Sequence, residues 1–163
     1  MIEVLQALYN YLKNDNGKDS KGNWLDDYDH KTYVELLSTD VNNIHKHLIP
    51  AKQPDILDEN LPIVSYYSSS TPHLILSRFF KDIIVDFDIY TKDNTLEENL
   101  KIARRHYQLL NEKIITIDNF PYIGRWYWMT EMQTVLANPN LYCYTQRFIT
   151  VVKREFLVTK RSK

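Results

Sequence analysis

Cysteine is nearly missing from this chain: Cys143 is alone in 163 residues. No disulfide can close within the chain, and no cysteine-based metal site can form. The position suits a small side chain half-buried in a strand. Glycine is almost as scarce, at three, which argues against glycine-rich phosphate loops and dinucleotide fingerprints. No apolar run is long enough to span a bilayer. The N-terminus has neither a basic opening nor a small-residue cleavage site, so a protein made in the cytosol is expected. A net charge of −1 gives no overall electrostatic case for nucleic acid. No repeat, linker or low-complexity run divides the chain. The expectation is one α+β domain over residues 1–158, followed by a basic tail at 159–163, with roughly two-thirds of the unfolded surface buried at this size.

Aromatic residues are abundant instead: twelve tyrosines, six phenylalanines and three tryptophans. Many tyrosines suit broad strand surfaces and interfaces, where a ring buries area while its hydroxyl stays hydrogen-bonded. Charge is uneven along the chain. Residues 1–60 carry eleven acids against six lysines. Lys153, Arg154, Lys160, Arg161 and Lys163 crowd the far end against Glu155. The two ends can pair between copies, or each can be solvated surface.

The organising stretch is residues 83–112. Ile83, Val85, Phe87 and Ile89 alternate with Ile84, Asp86, Asp88 and Tyr90, the period-two pattern of a strand with one buried face. Thr95-Leu96-Glu97-Glu98 then reads as a capping box. The helix it opens carries an apolar stripe of Leu96, Leu100, Ala103, Tyr107 and Leu110. A second helix is predicted over Ile2–Lys13, with Ile2, Leu5, Leu8 or Tyr9, and Leu12 on one face, and Gly17 suits its left-handed cap. Residues 14–31 form an Asp-rich loop that Trp24 and Leu25 anchor to the body or to a neighbour. Tyr33–Leu37 fits either a strand or a first helical turn. Thr39 or Asp40 can cap a short helix with Val41, Ile44 and Leu48. Pro50, Pro54 and Pro62 punctuate an extended connector.

Ile63–Ser69 is a strand candidate, and His73–Phe80 with Ile83–Tyr90 makes one long strand or two short ones. Near the end, Gly124–Leu136 is extended, with Trp126, Trp128, Met132 and Thr134 on one face. Asn138-Pro139-Asn140 turns it into a last strand, Tyr142–Val158, where Tyr144, Phe148, Val152 and Phe156 alternate with Arg147, Lys153 and Glu155. This is a long C-terminal β-hairpin. The fold class expected is α+β: a mixed or antiparallel sheet packed by an N-terminal helix and a central amphipathic helix.

Few residues suggest chemistry. Asp86 and Asp88 point the same way from a strand and could hold Mg²⁺ or Mn²⁺ as in a metal-dependent nuclease, with Glu131 and Lys153 as distant partners. The alternative is the polar outer face of a half-buried strand. His45 and His47 have no supporting ligands for zinc. Ser68-Ser69-Ser70 lacks the surroundings of a serine nucleophile. Lys101, Arg104, Arg105 and His106 oppose the apolar stripe, as a solvated face does, or meet an acidic neighbour in an assembly. Arg125 with Trp126-Tyr127-Trp128 could stack on single-stranded nucleic acid; without a basic groove, core packing or a protein interface fits better.

The order of elements carries a resemblance. An N-terminal helix leads through an acidic segment to Leu61-Pro62-Ile63-Val64. Next come the strand Ile84–Tyr90 and the helix containing Asn99–Ala103 and Gln108–Leu110. Two long strands close the chain, the second containing Tyr144–Val151. This resembles the tail-terminator, or tail-to-head joining, proteins of long-tailed bacteriophages over roughly residues 1–158. The Asp-rich stretch 14–31 departs from that pattern. The resemblance implies a non-enzymatic virion protein without metal or cofactor. It would form a hexameric ring that caps the tail tube, touching the major tail tube protein and the head-side connector, with DNA passing through the lumen. A stopper or adaptor of the same neck is the related alternative. Residues expected at subunit contacts are Arg125, Trp126, Trp128, Tyr144, Arg147, Lys153 and Arg154. No membrane and no sequence-specific nucleic-acid partner is expected.

Overall fold

The computed structural model describes residues 2–52, 54–68, 80–92, 96–115 and 124–153, with backbone only at residues 2, 3, 80, 81, 152 and 153. Among the described residues, three α-helices, α1 (Ile2–Lys13), α2 (Tyr33–Leu36) and α3 (Leu96–Leu110), accompany five strands: β1 (Leu48–Ile49), β2 (Ile63–Ser68), β3 (Phe80–Lys92), β4 (Tyr127–Thr134) and β5 (Leu141–Lys153). One sheet holds the strands in the order β1-β2-β3-β5-β4. β1 runs parallel to β2, and every other pairing is antiparallel. The fold is α+β with a mixed sheet, and β4 and β5 form the C-terminal hairpin around an Asn138 turn whose side chain accepts from the Asn140 N–H.

The helices share one face of the sheet. Val4, Leu8 and Leu12 of α1 join Tyr33, Val64, Tyr66, Val85, Phe87, Ile102 and Phe148 in the main core. Phe87 sits at its centre, stacked on Tyr66 at 5.9 Å and edge-on to Phe148 at 5.7 Å. α2 resolves the ambiguous stretch: Thr32 and Glu35 form a reciprocal capping box that closes a single helical turn.

Three expectations are corrected. First, β3 is buried on both faces, for Ile84, Asp86, Asp88 and Tyr90 are all under 9% exposed. Ile49, Ile56, Leu61, Leu136 and Leu141 cover one end of that second face by packing on Ile63, Tyr90 and Cys143. The acids there survive burial because each has partners. Second, α3 is rotated from its expected stripe. Ala103 and Leu110 are buried, but Leu96, Leu100 and Tyr107 are 40–44% exposed, while Asn99, Arg105 and His106 face inward. Those polar residues find fixed partners inside: Asn99 donates to the Ile89 carbonyl and accepts from Thr91, and Arg105 meets Asp15. Third, a β-bulge between Trp128 and Thr130 splits the face expected to run from Trp126 to Thr134.

The Asp-rich stretch is tied to α3. Asp15 accepts from Arg105 at 2.9 Å, Lys101 meets Asp29 at 2.9 Å, and Gln108 donates to the Leu25 carbonyl. Gly17 turns the chain at φ +76°, and a Cβ there would lie 2.5 Å from the Lys31 carbonyl oxygen, so only glycine fits. Trp24 stacks on His30 at 4.6 Å. The expected capping residue Thr95, the stretch 73–79, and residues 154–163 lie outside the described residues.

Candidate assembly surface

β4 is the sheet's outer strand on one side, pairing with β5 alone among the described strands. Its sequence, Tyr-Trp-Met-Thr-Glu-Met-Gln-Thr, places large apolar groups in solvent. Tyr127, Trp128 and Met129 are 41–47% exposed, Met132 62%, and Val135 just beyond it 93%. The opposite sheet edge is β1, only two residues long. Natural proteins blunt their edges with short strands, lysine or proline. β1 obeys that rule and β4 does not. One donor of β4 is already taken: the Trp128 N–H donates to the Asn111 side chain at 3.0 Å.

A buried polar chain holds β4 in place from beneath. The Gln146 amide nitrogen donates to the Ala103 carbonyl and to Glu131, both at 2.8 Å. Its oxygen must therefore accept from His106 Nδ1, 2.8 Å away, which leaves Nε2 to accept from the Tyr33 hydroxyl at 2.6 Å. Glu131 also receives the Tyr144 hydroxyl at 2.5 Å and the Trp128 indole at 3.0 Å. One chain of bonds thus links α2, α3, β5 and β4. Burial holds His106 neutral, with its pKa down at about 4. Burial and then Glu131 push the Tyr144 hydroxyl up to about 12.

On the other face, Arg147 grips Asp86 with two hydrogen bonds of 2.8 and 3.0 Å. Asp88 accepts from Tyr67 and Thr145. The two carboxylates stand side by side as foreseen, but as acceptors of an ion pair and two hydroxyls. No cluster of three His, Cys, Asp or Glu able to hold a metal occurs among the described residues. His47 is buried and donates to the Pro62 carbonyl at 3.0 Å, while His45 is exposed. Cys143 is buried, and burial followed by Asp88 raises its thiol to about 11, which keeps it protonated.

The residues expected at contacts therefore separate. Arg125 is exposed and donates to the Glu112 carbonyl. Trp128 lies at the surface, edge-on to Tyr107 at 6.3 Å. Trp126 is 1% exposed and part of the core, so its ring faces no neighbour. Tyr144 and Arg147 are half-buried within the bonds just described. Lys153 ends β5, and Arg154 lies outside the described residues. Sequence reasoning missed Met129, Val135 and the outer flank of α3, because an apolar residue at helical or strand spacing reads alike whether it is covered or bare. Beside that flank, a shallow groove of about 590 Å³ runs between Tyr28, itself 98% exposed, and Leu96 and Leu100.

No protein-family model matches the chain, and no curated protein matches it. Its fold does have a solved counterpart. A chain of the virion of a native gene transfer agent particle matches it with a TM-score of 0.51, over 73% of this chain and 90% of that one, at 10% sequence identity. At such identity the likeness is one of fold.

Proposed function

We propose that this chain is a structural protein of a phage-like virion and, within it, the tail terminator. Copies form a ring, six in number by the resemblance, that stops growth of the tail tube and presents a surface to the head-side connector. The observation that carries the reading is the fold shared with a chain of a gene transfer agent virion, which spans nine-tenths of that chain. The bare apolar edge at β4 supports it, since such a surface belongs to a protein built to meet other chains. The uneven charge supports it as well. A ring contact is heterologous and needs two unlike patches on one subunit; the acidic first sixty residues and the basic end with Lys153 and Arg154 would supply one such pair. Arg125, Trp128, Tyr144 and Arg147 lie along the hairpin that would carry the contact. The protein would be made in the host cytoplasm and end in the tail or neck of the particle, acting without a cofactor. Its partners would be its own copies, the major tail tube protein and the head-side connector.

A stopper or adaptor would share all of this except its place on the particle, and removal of the protein separates the roles. Particles assembled without a terminator have overgrown tail tubes and unjoined heads. Tails of normal length on leaking heads would assign the stopper role instead.

A further inference from the structure

We propose that the free protein pairs with a second copy of itself, edge to edge through β4, so that two five-stranded sheets become one across a two-fold axis. β4 offers eight residues of backbone, and no described strand lies on its outer side. Beyond Trp128, whose N–H is capped by Asn111, the stretch 130–134 can form a ladder, since no described strand covers its outer side. A second β4 matches it in length, so neither copy strands polar backbone groups in the contact.

Charge and area both favour self-pairing. The strand has one charged residue, Glu131, and its carboxylate is turned inward to Tyr144, Gln146 and Trp128. Pairing two β4 strands therefore sets no like charges opposite each other within the ladder, the penalty that ordinarily keeps identical edges apart. The Tyr107–Trp128 ring contact joins this edge to the exposed flank of α3, where Leu96 and Leu100 are also uncovered. Edge and flank together expose eight large apolar side chains, between 40% and 93% bare. At roughly 100 Å² each they supply about 800 Å², the one-partner share of a standard interface. The same patch on both subunits is what an isologous dimer requires.

A two-fold contact closes on itself and cannot propagate around a ring. This pairing is therefore a state of the unassembled subunit, shielding the β4 edge until the virion takes it up. It does not rest on the terminator reading, since the edge would pair in any soluble preparation. The test is light scattering of the purified full chain over a concentration series, together with Met132→Lys. Met132 is well exposed, so the variant should keep the wild-type circular dichroism spectrum while shifting from dimer to monomer. Cysteines placed singly at Thr130, Met132 and Thr134 add a geometric readout. Residues at the axis meet their own mates at disulfide distance, so at least one of the three should give a linked dimer under oxidation, and Tyr28→Cys should give none. A wild type that stays monomeric to its solubility limit would overturn the proposal. So would a Met132→Lys protein that keeps the wild-type oligomer.

Discussion

His106 shows how one side chain can fix several elements. It is fully buried, and its two nitrogens have different duties: Nδ1 donates to Gln146 and Nε2 accepts from Tyr33. A second proton on the ring would leave the Tyr33 hydroxyl without its acceptor and place a charge in the core, beside Phe87 at 4.5 Å. This is why burial lowers its pKa to about 4, against the neighbouring Glu131, which pulls the other way. The sign of the pH dependence follows. The unfolded chain, with a histidine near 6.5, binds this proton more readily than the native state, so acid favours unfolding. The stability tied to the neutral ring is complete above pH 6.5 and falls as pH drops toward 4, by about 3 kcal/mol. Urea unfolding at a series of pH values should show this slope, and His106→Gln should flatten it between pH 6.5 and 4. Equal slopes in the two proteins would show that His106 does not set the acid sensitivity.

Between elements, two arginine–aspartate pairs do similar work at different depths. Arg105 and Asp15 are each 3% exposed and lock residues 14–31 onto α3; Arg105 also donates to the Lys31 carbonyl at 2.7 Å. Arg147 is 41% exposed although its partner Asp86 is 6% exposed. Removing the arginine of a fully buried pair strands a charge and costs about 3–5 kcal/mol, whereas a half-wet arginine can be replaced in part by water. Arg105→Ala should therefore destabilise by about 4 kcal/mol and Arg147→Ala by about 1–2 kcal/mol, measured as shifts in unfolding free energy. The reverse order would show that the Asp-rich stretch is not held as described.

The same pairs mark where sequence patterns stop being informative. Period-two alternation located β3, and the hairpin around Asn138 was equally plain. Alternation did not reveal that Asp86 and Asp88 are covered, because a carboxylate reads as solvent-facing until the arginine opposite it is known, and Arg147 is sixty-one residues away in sequence. The stripe on α3 misled for a related reason: Asn99, Arg105 and His106 look like surface residues and are core residues with distant partners. Of the residues expected at contacts, Trp126 went to the core because its backbone bonds to Lys113 and Glu112 turn it inward ahead of β4. Trp128, two residues on, reached the edge.

At the scale of the whole molecule, the proposed function draws on where the exposed surface and the charge lie. All three helices cover one face of the sheet, and among the described residues eight of the exposed large apolar side chains cluster along one sheet edge and the outer flank of α3, apart from Tyr28, Val41, Leu57 and Ile114. The short β1 edge closes the other side against further pairing. Acidic residues dominate the first third of the chain, and basic residues its last eleven. Under the proposed function, the bare strand and the uneven charge along the sequence would serve a closed ring, in which the last contact forms within the assembly and gains from it.

The most direct measurement is electron microscopy of purified protein mixed with tail tubes that lack their terminal ring. A tail terminator should form a single ring of copies at one end of each tube and allow no further elongation when tube protein is added. Tubes that stay bare at both ends and continue to grow in excess protein would contradict that role.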